Sequence, residues 1–181
     1  VSCIFLAFGL RIYDVQELPT HGGSLRIFGC HQDDPRETTL AVSALIAEEA
    51  QRGLQSLNTY KNFQVHANQV RDELLDFLIE QKHQGKKVAA YGAAAKGNTL
   101  LNYAGIKPDL LSFICDAAPS KQGKFMPGSH IPILAPQFMQ KHRPDFIVIL
   151  PWNLADEVVR VNPFVRDWGG KFVTAIPTLR I

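Results

Sequence analysis

The chain has 181 residues, 46% of them hydrophobic and 20% charged, with a formal net charge of +2. That length suits one sizeable domain with part of another. The near-balanced charge, with no basic run, argues against a broad nucleic-acid footprint, and no apolar stretch approaches the roughly 18 residues that cross a bilayer.

The N-terminal stretch VSCIFLAFGLRIYD is apolar, but it has neither a basic leader nor an initiating Met, so it reads as the interior of a longer protein and not as a signal peptide. Residues 10–17 (LRIYDVQE) and 24–31 (SLRIFGCH) alternate apolar and polar positions, the pattern of half-buried strands. The turn-rich LPTHGG between them predicts an antiparallel pair. After a polar, Pro-containing break at 32–37, two helices follow. The first places Leu40, Ala44 and Ala47 on one face, with Thr38 or Thr39 as its cap. The second repeats Phe63, Ala67, Val70, Leu74 and Phe77 at helical spacing, runs from about Asn58 to Lys82 and closes at Gly85.

From Lys86 onward strands and helices alternate. Strands are expected at 88–91, 111–115, 146–150 and 172–175, and helices after Lys96, Pro136 and Asn153. Continuous apolar strands such as FIVIL imply a parallel sheet covered on both faces. The fold class is therefore α/β: a Rossmann-like, doubly wound parallel sheet preceded by two helices and an N-terminal antiparallel strand pair. Its ligand crevice should lie at the carboxyl ends of the strands.

The segment VAAYGAAAKGNTLLN, at 88–102, carries the strongest chemical signal. A strand runs into Gly92, small residues follow, and Lys96-Gly97-Asn98 opens a helix, so that residues 92–97 match G-x-A-x-x-G with Ala94 in the middle position. Small residues admit a ligand close to the backbone, the helix start favours an anion, and Lys96 adds a full charge. A phosphate or pyrophosphate is the predicted guest. Asp116 ends the next strand, where such folds bind a ribose through an acid; the alternative is a turn former before Ala117-Ala118-Pro119. The loop 120–130 brings Lys121 and Lys124 in a segment expected to be mobile and able to clasp a diphosphate, or else simply a solvated connection. Trp152 is placed to stack on a base or cover the core, and Asn153 suits a helix N-cap. His21, between Thr20 and Gly22-Gly23, is the candidate catalytic proton carrier. Cys3, Cys30 and Cys115 are too dispersed for a zinc site and are expected to be buried free thiols in a reducing cytoplasm, so no metal site is predicted.

Taken together, LPTHGGSLRI (18–27), AYGAAAKGNTLLNY (90–103), SKQGKFMPGSHIPI (120–133), PDFIVILPWNL (144–154) and WGGKFVTAIP (168–177) resemble the C-terminal part of SAM-dependent C-methyltransferases acting on nucleotide-linked deoxysugars. The resemblance implies three segments: residues 1–34 as the last strand pair of a SAM-binding domain, 35–85 as a helical bridge, and 86–181 as a Rossmann-like substrate-binding domain. It also implies a dTDP-sugar as ligand, with its diphosphate at Gly92 to Asn98 and Asp116, Lys121, Lys124, Trp152 and Asn153 around it. SAM would be bound by the parent enzyme, mainly outside this chain. The family's zinc module, SAM loop and Tyr/His/Glu-bearing segment are not found here, so the chain is expected to be a fragment inactive on its own, with an exposed strand edge suited to a homodimer. The competing readings are an NAD(P)-binding oxidoreductase domain, which uses the same loop but normally without a lysine in it, and a non-catalytic nucleotide-binding module.

Overall fold

Residues 1–181, all described by the computed structural model, divide into two units, Val1–Gln64 and Val65–Ile181. In the first, helix α1 (Ser2–Ala7) leads into strands β1 (Leu10–Leu18) and β2 (Ser24–His31). The strands pair antiparallel from Leu10↔His31 to Leu18↔Ser24, with a bulge between Ile12 and Asp14. Helix α1 is an addition to the sequence reading, because six residues are too few to reveal a helical period. Its Phe5 ring lies where Gly29 leaves room: a Cβ there would stand 2.2 Å from the ring.

Helix α2 (Leu40–Gln51) starts at Thr39 as anticipated, yet Thr39 caps nothing with its side chain. Its hydroxyl donates instead to Asp14 Oδ1 at 2.6 Å, tying the helix start to β1. The inward face also differs from expectation. Leu40 is 85% exposed and Ala44 and Ala47 are exposed, whereas Val42 and Leu45 are half-buried. Cys30 is the only buried core residue of this unit.

The expected continuous helix over 58–82 is two helices, α3 (Leu57–Lys61) and α4 (Phe63–His83). Local side-chain bonds account for the break. Thr59 Oγ1 donates to the Gly53 carbonyl at 2.7 Å, and the Tyr60 hydroxyl donates to the Leu54 carbonyl at 2.6 Å, folding α3 back on the preceding turn. Helix α4 ends as predicted, with Gly85 at φ 68° and the Lys86 N–H bonded to the Gln81 carbonyl.

The second unit continues with β3 (Val88–Tyr91), α5 (Ala95–Tyr103), β4 (Ile114–Cys115), β5 (Ile133–Leu134), α6 (Gln137–His142), β6 (Phe146–Ile149), α7 (Ala155–Val161) and β7 (Lys171–Val173). All five strands are parallel, in the order β5-β4-β3-β6-β7. This is the Rossmann-like α/β architecture, with β3 at the centre and the direction of winding reversing between β3 and β6. Strand periodicity divides the core. Val88 and Ala90 face a cluster with Leu74, Leu78, Leu100 and Leu101, while Ala89 joins Met139 and Val165 on the opposite face.

The strands differ from expectation in several places. Only Ile114–Cys115 of the 111–115 run pairs as a strand; Leu111 and Phe113 are apolar because they are buried on the approach to it. Strand β7 ends at Val173, after which Thr174 bridges back to Arg180. The edge strand β5 escaped the sequence reading because two residues after a proline carry no alternation.

Asp145 joins the entries of three strands. Its Oδ2 accepts the Lys87 N–H at 2.8 Å, Lys86 Nζ lies 3.2 Å from Oδ1, and its carbonyl accepts the Lys171 N–H at 2.9 Å. The Lys87 amide first, then the Lys86 ammonium, hold its carboxyl below the usual range. A lowered folded value gives stability that is complete above the ordinary carboxylate pKa of about 3.9 and fades as pH falls through the lowered value. Asp145→Asn should therefore be less stable than the parent at neutral pH and converge with it in acid. Urea unfolding across pH would show this, and parallel curves down to low pH would disprove it.

Candidate functional site

The centre of the second unit is the turn leaving β3. Gly92 takes φ 90°, and its N–H donates to the Cys115 carbonyl at 2.7 Å. A side chain there would place Cβ 2.5 Å from Pro151 Cδ. Five residues later, a Cβ on Gly97 would stand 2.6 Å from Leu150 Cβ, so the first turn of α5 lies directly on the residue that follows β6. The two glycines thus serve different needs, one a left-handed turn and the other a close helix–strand approach.

Ala94 is the N-cap of α5 and brings no capping side chain. Ser, Thr, Asp or Asn at that position would occupy an N–H of the first turn and stabilise the helix by about 1 kcal/mol. Alanine adds no capping side chain at the positive end of the α5 dipole, the end of a helix that favours an anion. Lys96 lies in that first turn, its Nζ 5.6 Å from the centroid of the Trp152 ring. Asn98 donates its backbone N–H to the Ala94 carbonyl at 2.9 Å, while its side-chain Oδ1 is enclosed without a hydrogen-bond partner.

Asp116 is 7% exposed. Its Oδ2 accepts the Ala93 N–H at 2.7 Å and faces Lys121 Nζ at 3.1 Å, while Oδ1 accepts the Ala118 N–H at 2.8 Å. Lys121 is therefore engaged with Asp116. The loop expected to be mobile is a hairpin tied by its own backbone: Gly123 N–H to the Ile133 carbonyl, Ile133 N–H to the Lys124 carbonyl and Met126 N–H to the Ile131 carbonyl, with Lys124 exposed. Its tip is held by Asn102 Nδ2 on the Pro127 carbonyl at 2.9 Å and Lys107 Nζ on the Gly128 carbonyl at 2.6 Å.

Trp152 and Asn153 belong to a 3-10 turn, Trp152–Leu154, that precedes α7. Leu154 and not Asn153 occupies the N-cap of α7, because the intervening turn displaces the helix start. Two open clefts flank this region. One of about 540 Å³ is lined by Trp152, Asn153, Asp156, Thr174 and Arg180, and the other, of about 430 Å³, by Tyr91, Ala117, Gln137, Gln140 and Phe164. Neither is lined by Lys96, Lys121 or Lys124, so the glycine turn lies outside both concavities. His21 belongs to the first unit, exposed in the hairpin turn at φ 57°.

A family described as the C-methyltransferase C-terminal domain matches residues 19–177. This chain belongs to that family. It is 35% identical over 178 residues to the C-methyltransferase NovU of Streptomyces niveus, a match that takes in 98% of this chain and 42% of that relative. Among solved structures it is similar to UDP-D-quinovosamine 4-dehydrogenase from Vibrio fischeri, at 22% identity and a TM-score of 0.38, over 51% of this chain and 79% of that one. No helix is long and apolar enough to cross a membrane.

Sequence reasoning missed two parts of the site in this C-methyltransferase C-terminal domain. One is the contact of Pro151 with Gly92: the sequence places that residue at the end of the FIVIL strand, but does not show its closing on the glycine turn. The other is the Ala93 amide, whose bond to Asp116 leaves no trace in residue type. The thiols also differ from expectation, because Cys3 is exposed while Cys30 and Cys115 are buried. Burial pushes the Cys115 thiol up to about 12. Thiolate is the reactive form, so at pH 8 a thiol reagent should modify Cys3 and spare Cys115 in the folded protein. Peptide mapping by mass spectrometry checks this, and rapid native labelling of Cys115 would contradict its enclosure.

Proposed function

We propose that this domain holds the diphosphate of a nucleotide-linked deoxysugar for a SAM-dependent sugar C-methyltransferase, with the methyl donor bound elsewhere in the parent enzyme. The uncapped start of α5 at Ala94, with Lys96 in its first turn, is the observation that carries this reading. A dTDP-sugar brings a diphosphate anion to that helix start and that ammonium. Asn98, Lys121, Lys124, Trp152 and Asn153 complete the surroundings, with Trp152 offering an aromatic face to a base.

The same residues do not fit SAM. That donor carries a sulfonium cation and no phosphate, whereas both the helix start and Lys96 are positive. The acid that would take its ribose hydroxyls, Asp116, already accepts from Ala93, Ala118 and Lys121. Proton removal beside a keto group falls to residues of the parent enzyme, with exposed His21 the candidate carrier in this chain, and the isolated chain is inactive. A nucleotide-sugar substrate and free thiols suit the cytoplasm.

Calorimetric titration of the chain should show binding of dTDP and none of SAM. Lys96→Ala should weaken dTDP by about 1.5–3 kcal/mol, the contribution of a hydrogen bond to a charged group. Tight SAM binding, or unchanged dTDP affinity in Lys96→Ala, would count against this assignment.

A further inference from the structure

The carboxylate at the end of the second strand is usually read as a ribose ligand in this architecture. Here the geometry points to another role, and it rests on the diphosphate reading above. We infer that Asp116 is a positioning residue that sets the Gly92–Ala94 turn for the diphosphate, and that the site therefore accepts ribo- and 2′-deoxyribonucleoside diphosphates alike.

A carboxylate has about four lone-pair directions, and Asp116 uses three, on Ala93 N–H, Ala118 N–H and Lys121 Nζ. Only 7% of the residue is exposed, so it presents no pair of oxygens to a sugar edge. The Ala93 bond draws that amide toward the end of β4 and fixes the Gly92–Ala94 turn just ahead of the α5 N-terminus. Lys121 at 3.1 Å balances the carboxylate charge, so the clasp does not repel an incoming phosphate. A second strut reaches the same loop: Gln122 Nε2 donates to the Asp116 carbonyl at 2.9 Å. The acid, the turn after β3 and the loop after β4 form one rigid seat.

The test compares UDP with 2′-deoxy-UDP, which share base and diphosphate, by calorimetry on the 181-residue chain. The parent should bind both within about two-fold, a smaller gap than one net hydrogen bond usually creates. In Asp116→Ala both affinities should fall together by about ten-fold, while uridine is affected less than UDP. The Ala93 amide should also exchange faster with deuterium, a readout that a general loss of stability would spread over all of β3. A preference of about ten-fold for UDP in the parent, abolished in the variant, would overturn the inference. If Asp116→Ala fails to fold, the UDP-to-deoxy-UDP ratio of the parent still decides. Failure of the parent to bind any nucleoside diphosphate would instead remove the diphosphate reading. In that case Ala93 exchange in the variant still tests the clasp, and unchanged exchange there would end it.

Discussion

The structure of the second unit depends on how closely α5 can approach the end of β6. Gly97 against Leu150 and Gly92 against Pro151 are contacts that a single methyl group would close. Where a helix lies this near a strand, its first-turn amides are brought to the carboxyl edge of the sheet, where the winding reverses. Everything else at the site follows from that approach. Lys96 meets Trp152 across it, and Asp116 secures the turn from the neighbouring strand.

A rule of local stability is set aside at the centre of this arrangement. The first helix turn after a glycine-bearing loop ordinarily takes a side-chain cap, and here the cap is Ala94. Departures from local preference tend to mark functional positions. The enclosed, unpartnered Asn98 Oδ1 in the same turn is a second such departure. By contrast, the opposite end of the sheet is fully tied, with Asp145 bonding at the entries of β3 and β7.

Much of the fold was legible because period and burial agree. Helix α4 ends at its glycine, and β3 and β6 read as apolar runs because both of their faces are covered. The failures share a cause. Helix α1 and strand β5 are shorter than the period that would reveal them, and the break between α3 and α4 comes from Thr59 and Tyr60 bonding backward. At the site, residue type and spacing drew attention to Gly92, Gly97 and Lys96. They could not say where a side chain's hydrogen bonds go, which is why the partners of Asp116 and Lys121 became visible only in the fold.

The chain's two tryptophans lie toward opposite ends of β6, neither of them on the strand itself. Trp168 donates its indole N–H to the Pro144 carbonyl before the strand, and half-buried Trp152 lies under the Lys96 ammonium after it. A cation over an indole face alters the ring's electronic surroundings, and an anion that draws the ammonium away reverses that change. Trp168 is bonded at the far end of β6, apart from any such change. The domain therefore contains an optical pair, with one emitter beside the Lys96 ammonium and one bonded at the far end of β6.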